Sequence, residues 1–178
     1  MTEGPTGART TTTQPTTSVR VIEYERRHRD AFRDLNVEWI TTHFGLEDVD
    51  REVLDDPEGA ILLRGGSILV AEDGGAIVGC CALIRIAPDA FELAKMAVAP
   101  TAQGKGIGTM LGRAAVDRAR RLGARRIELL SNTALQPALH LYRKLGFVEV
   151  PLGPTEYRRA DIRMVLRLES VHMGARDG

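Results

Sequence analysis

Two hydrophobic periods divide the chain. Over residues 28–41 apolar side chains recur at helical spacing, Ala31, Leu35 and Ile40 with Phe32 and Trp39, which predicts an amphipathic helix. A strand is expected before it at 19–23 and a short helix after it at 46–57, with Leu46, Val49 and Leu54 inward. That helix should stop before Pro57, because the residue ahead of proline avoids helical geometry. Apolar runs at 67–72 and 76–86 flank Asp73-Gly74-Gly75 and read as an antiparallel hairpin. A further strand spans 91–98 and ends at Pro100. Residues 106–122 place Ile107, Leu111, Ala114, Ala115, Ala119 and Leu122 on one helical face, with Gly123 suited to the C-terminal cap. A strand follows at 126–131, then a helix at 135–145 that Asn132 and Thr133 can cap. Pro137 falls in its first turn, where a missing N–H costs little, and Gly146 ends it. Strands at 147–150 and 161–168 close the order β-α-α-β-β-β-α-β-α-β-β.

Composition adds limits rather than detail. A chain of 178 residues suits one domain, expected at 18–170, with a core large enough to need no staple. Residues 1–17, rich in Thr, Gly and Pro, cannot offset the entropy of ordering and are expected to be disordered, with a flexible end at 171–178. Lys plus Arg number 24 and Asp plus Glu number 24, so no net field draws in nucleic acid or an anionic membrane. No apolar run approaches the ~20 residues of a membrane span, and the N-terminus lacks the apolar core of a signal peptide, which leads to an expected cytoplasmic location. Cys80 and Cys81 are neighbours on a strand and point to opposite faces, so one is expected to be buried and the other not. No Cys/His spacing suggests a metal, and His28, His43, His140 and His172 read as structural or surface residues.

Gly104, Gly106 and Gly108 alternate just before the helix at 106–122. Glycine permits positive φ and lets a ligand approach the backbone. The first N–H groups of a helix lack partners inside it and, with the positive end of the dipole, suit a phosphate. The same pattern also suits a plain turn. A Walker A loop is excluded, because Gly106 rather than Ser or Thr follows Lys105. A dinucleotide fingerprint is excluded by the glycine spacing and by the antiparallel hairpin upstream.

These residues resemble the GNAT superfamily of N-acetyltransferases. Gln103-Gly104-Lys105-Gly106-Ile107-Gly108 fits that family's acetyl-CoA signature, and Met96-Ala97-Val98-Ala99-Pro100 before it is similar too. Leu141-Tyr142-Arg143-Lys144-Leu145-Gly146-Phe147 matches a second family motif, in the right order and at the right distance. The resemblance covers residues 19–168. It implies an α/β (α+β) fold with a mixed, mostly antiparallel central sheet flanked by about four helices. It implies acetyl-CoA as acyl donor, with the backbone of Met96, Ala97 and Val98 on the pantetheine arm. The N–H groups of Gln103, Gly104, Lys105, Gly106, Ile107, Gly108 and Thr109 should hold the pyrophosphate. Lys105 either adds charge there or is a solvated side chain. Asn132 resembles a family Asn that contacts the cofactor arm or a water, and it also suits a helix cap.

Acetylating an amine demands a neutral nucleophile. A lysine-like amine has a pKa of ~10.4, so only about one molecule in 2,500 is neutral at pH 7. By its family position Tyr142 is the expected acid for the departing thiolate, since a phenol is protonated at neutral pH. Glu92 lies eleven residues before Gln103, an offset that the base of histone-type members shares, and burial would raise its pKa. Ordered water is the other candidate base. The N–H of Ala97 is a candidate oxyanion donor if the strand distorts there.

Glu38, Glu47, Asp48 and Asp50 bias the acceptor side toward acid and toward a cationic amine, unless they are only a solvated helix face. Arg159 or Arg163 can hold a carboxylate bidentately, which leaves amino acid, peptide and polyamine acceptors all open, along with a protein amine. Gly153-Pro154-Thr155 reads as a lid loop. A homodimer is compatible with the family. The rival reading is a non-catalytic acyl-CoA-binding sensor or interaction module.

Overall fold

A computed structural model describes residues 19–169. The expected tail at 1–17 and the end at 171–178 lie outside those residues.

The chain runs β1 (Arg20–Glu23), α1 (Arg29–His43), α2 (Asp48–Asp55), β2 (Ser67–Asp73), β3 (Ala76–Ala87), β4 (Ala90–Val98), α3 (Ile107–Arg121), β5 (Arg126–Ser131), α4 (Gln136–Lys144), β6 (Val148–Val150) and β7 (Ile162–Arg167). The seven strands form one sheet in the order β1-β2-β3-β4-β5-β7-β6. Every neighbouring pair is antiparallel except β4 with β5. The β2–β3 hairpin turns on Gly74 and Gly75, both at positive φ, which a tight two-residue turn needs.

Helices cover both faces. Phe32 and Ile40 of α1 and Leu54 of α2 pack with Ile68, Val70 and Cys80. Ile107, Leu111, Ala115 and Ala119 of α3 and Leu139 of α4 pack with Leu69, Cys81, Leu83 and Leu129 on the other side. The expectation that one of Cys80 and Cys81 is exposed is therefore corrected. The two thiols do point to opposite faces, but both are buried because each face has its own helical layer. Gly112 of α3 lies so near α4 that a Cβ there would come within 2.6 Å of Leu145 Cδ1, so glycine sets how closely these helices pack.

Two local features went unread, and one reading needs correction. Chain direction is helical again past Pro57, where Glu58–Leu62 form a π-helical turn that no periodicity announced. Asn36 is buried in α1 amid apolar neighbours, its amide donating to the Phe32 carbonyl and reaching Cys80 Sγ at 3.2 Å. Asn132 does not cap α4, whose N-cap is Leu135. Its Oδ1 instead accepts from the Ala134 N–H and its Nδ2 donates to the Arg159 carbonyl, which ties the β5–α4 turn to the segment before β7.

Candidate active site

The site begins where the sheet parts. β4 and β5 pair only at Ala90/Arg126, Phe91/Ile127 and Glu92/Glu128. Beyond Glu92 that edge of β4 has no strand beside it, and a cavity of about 780 Å³ opens between the diverging strands. β4 is also kinked against β3. Cys80 pairs with Ala97 and Ala82 with Ala94, so Lys95 and Met96 together oppose Cys81. This is a β-bulge, and Lys95 takes a φ of 52°, the sole positive φ among non-glycine residues described. The distortion foreseen at Ala97 thus sits one to two residues earlier. Ala97 itself is back on the ladder, with its N–H toward the Cys80 thiol.

Below the opening, Gly104 and Gly106 both have φ of 77° and no neighbour within 4 Å of a would-be Cβ. Glycine is needed there for backbone conformation, and the space beside it is open. Gly106 is the N-cap of α3, and the first intrahelical donor of that helix is Met110, bonded to Gly106 O at 3.0 Å. The N–H groups of Ile107, Gly108 and Thr109 are left for another acceptor. Gly108 is packed more closely: a Cβ there would stand 3.4 Å from Leu141 Cδ2 of α4.

The cavity brings together the residues expected for cofactor and catalysis, all but Lys105: Met96, Ala97 and Val98; Gln103, Gly104, Gly106, Ile107, Gly108 and Thr109; Asn132; and both Glu92 and Tyr142. Lys105 is exposed and stays outside its wall. Burial pushes the Glu92 carboxyl up; nearby Lys95 opposes this and Glu128 adds to it. Burial, with a smaller contribution from Cys81, pushes the Tyr142 phenol up to about 12. The Tyr142 ring meets Phe147 edge-on at 6.0 Å between centroids, which fixes its direction from α4.

A cluster of charges closes the other end. Asp50 of α2 is fully buried and receives Lys95 Nζ at 2.7 Å. Arg159 grips the same carboxylate bidentately, both contacts at 2.7 Å, and reaches Glu47 Oε1 at 3.0 Å. Burial pushes the Asp50 carboxyl up, but the hydrogen bonds from Arg159 and Lys95 outweigh it and hold the group at about 2. Tyr157 lies between the two cations, 5.0 Å from Lys95 Nζ and 4.9 Å from the Arg159 guanidinium carbon, measured to its ring centroid. Glu47 also accepts from the Arg158 N–H at 3.0 Å, so α2 holds down the segment that carries Tyr157 and Arg159.

Residues 64–149 match the family model for the acetyltransferase (GNAT) domain. Over that stretch the chain is similar to the GNAT acetyltransferases. It is 33% identical over 109 residues to the uncharacterized N-acetyltransferase YjgM of Escherichia coli, covering 58% of this chain and 65% of that one. It is 30% identical over 102 residues to the uncharacterized N-acetyltransferase YvbK of Bacillus subtilis, covering 57% of this chain and 63% of that one. The matches thus span less than two thirds of these relatives' lengths. A GNAT acetyltransferase from Staphylococcus aureus superposes with a TM-score of 0.78 at 21% identity, over 85% of this chain and 100% of that one. The Salmonella typhimurium acetyltransferase YncA, solved with acetyl-CoA, superposes with a TM-score of 0.70 at 23% identity, over 86% and 95%.

The charged end of the cavity departs from its sequence reading. Asp50 is no part of a solvated acidic face; it is the buried counterion of Lys95 and Arg159. Arg159 and Arg163 are not free for a substrate carboxylate, because Arg159 is spent on Asp50 and Glu47 and Arg163 on Glu128. Lys95 and Tyr157 went unnoticed. The signal for Lys95 was a lone cation inside an apolar strand, which is costly unless a counterion waits nearby. Among the described residues no cluster of His, Cys, Asp or Glu could hold a metal ion, and no helix is long and apolar enough to cross a membrane.

Proposed function

We propose that this protein transfers the acetyl group of acetyl-CoA to a primary amine by direct attack. The observation that carries the reading is that one cavity joins the unpaired edge of β4, the positive-φ glycine turn and the side chains of Glu92 and Tyr142. The turn and the first N–H groups of α3 suit a diphosphate, and the open β4 edge suits the amide arm of pantetheine, added as a strand would be. Bound there, acetyl-CoA supplies an activated acyl group. Met96, Ala97, Val98, Gln103, Gly104, Gly106, Ile107, Gly108 and Thr109 orient it; Lys105 is left out.

Glu92 acts as the base. Its carboxylate lines the cavity, and the raised pKa brings it nearer to neutral pH, where a base works best. The amine nitrogen forms the new C–N bond, the C–S bond breaks, the surplus amine proton passes to Glu92, and Tyr142 returns a proton to the sulfur. A phenol at about 12 would give its proton to an ordinary thiolate only about 5 kcal/mol uphill. The apolar wall that raises the phenol also raises a thiolate beside it, so desolvation shrinks that gap.

The acceptors named for relatives are diverse: mycothiol acetyltransferase and streptothricin acetyltransferase share 33% and 43% identity with parts of this chain. Thiol release from acetyl-CoA, followed with DTNB across an amine panel, tests the reading. An amine-dependent rate and a product heavier by one acetyl group are expected. Tight acetyl-CoA binding without turnover on any amine would refute it and leave a binding module.

A further inference from the structure

The acceptor end of the cavity has an uneven electrostatic balance. Its wall carries two cations, Lys95 and Arg159, and each is already committed to protein carboxylates: Lys95 to Asp50, Arg159 to Asp50 and Glu47. Two positive and two negative charges cancel there. Glu92, on the same wall, has no hydrogen bond or ion pair among the described residues. Arg163 nearby is engaged by Glu128. His43, at the rim, stacks on Trp39 with ring centroids 4.7 Å apart and sets its Nδ1 2.8 Å from the Trp39 carbonyl. The uncompensated charge facing the acceptor is therefore a single carboxylate, beside an apolar rim of Trp39 and Phe44.

Resting on the acetyl-transfer reading, we infer that the acceptor is a primary amine with no carboxylate on the carbon bearing the nitrogen, and that Glu92 with its neutralised neighbours sets this choice. A cationic amine is drawn to the lone carboxylate. An α-amino acid brings a second negative charge within a few ångström of it and finds no free cation to receive that charge. This narrows the acceptor classes that sequence left open, because the two arginines suited to a carboxylate are occupied from within.

Matched pairs test it: tryptamine against tryptophan, phenethylamine against phenylalanine, agmatine against arginine and cadaverine against lysine, each assayed for acetyl-CoA-dependent product by mass spectrometry. For the pairs that react, kcat/KM should favour the amine at least tenfold. Equal or better use of the amino acids would overturn the inference while leaving acetyl transfer intact. Product from no member of any pair would overturn the inference, and acetyl transfer falls with it only where the wider amine panel is silent too. A variant sharpens the cause. Glu47→Gln removes one of the two carboxylates that balance Lys95 and Arg159 and leaves a net positive charge. The amine-to-amino-acid ratio should then fall by roughly threefold or more. A ratio unmoved in folded Glu47→Gln protein would sink the electrostatic origin.

Discussion

Lys95 and Asp50 meet at 2.7 Å with side-chain exposures of 3% and 0%, joining the bulge of β4 to α2 across 45 residues of chain. Arg159 shares the same carboxylate, so the contact also fixes the segment leading into β7. Removing one partner of such a cluster leaves charge buried without compensation, which costs more than the pair itself contributes. Asp50→Asn should lose about 3–5 kcal/mol of stability by urea unfolding. A loss under 1 kcal/mol would show that the cluster is hydrated and relaxed.

The same contact sets an acid limit. The Asp50 carboxyl is held at about 2 in the folded protein, against about 3.9 for an unfolded chain. A depressed carboxylate contributes stability above its unfolded pKa and loses it as pH falls toward the folded value. The contribution of about 2–3 kcal/mol should therefore drain away between roughly pH 4 and pH 2. Unfolding free energy measured across that window should fall more steeply for the native chain than for Asp50→Asn.

Strand and helix order was legible because each element keeps its period: α3 buries Ile107, Leu111, Ala115 and Ala119 as its spacing requires, and β5 occupies Arg126–Ser131 as its apolar run predicts. The glycine turn was legible because positive φ selects residue type, and Gly104 and Gly106 announce it. The charged end of the cavity was not. Its geometry depends on a non-glycine residue, Lys95, adopting a φ that glycine usually supplies, and on Asp50 and Arg159 meeting 109 residues apart. Charge identity shows in a sequence; which opposite charge consumes it is decided by tertiary contact. Hence Arg159 read as a substrate clamp, when its fork was already filled.

As the proposed base, Glu92 would couple turnover to stability in opposite directions. Only the ionised carboxylate accepts a proton, so kcat/KM should rise with pH through a pKa above the usual carboxylate range. A raised folded pKa means that stability is fully present below the unfolded pKa of about 4.3 and is lost as pH rises through the folded value. Glu92→Gln should therefore abolish the acidic limb of the pH–rate profile while raising Tm at pH 7, with no gain at pH 4. An unchanged pH profile would remove Glu92 as the base and leave ordered water.

Tyr142→Phe separates binding from chemistry. The ring keeps its edge contact with Phe147 and its place on α4, so the cavity wall is preserved. Only the proposed proton donor goes. Turnover should fall by about 10²-fold, the scale of general-acid assistance, with the acetyl-CoA Kd within twofold of the native value. Loss of both together would mark the hydroxyl as a binding group; loss of neither would leave the thiolate to depart without help.

Gly106→Ala tests the turn at its most exacting position. At φ of 77° an added Cβ meets no neighbour within 4 Å, so any cost is conformational rather than a clash. An L-residue in that region costs roughly 1–2 kcal/mol, and the chain can avoid it by rotating the N-cap of α3. Rotation would turn the N–H groups of Ile107 and Gly108 away from the cavity. Stability should therefore drop only slightly, while CoA affinity, read by calorimetry, weakens about tenfold or more. Gly108→Ala is the control: its Cβ would stand 3.4 Å from Leu141, an ordinary packing contact at a helical φ. Its effect should be small on both readouts. Equal losses of CoA affinity in the two variants would mean that backbone conformation at Gly106 is not what aligns the donors.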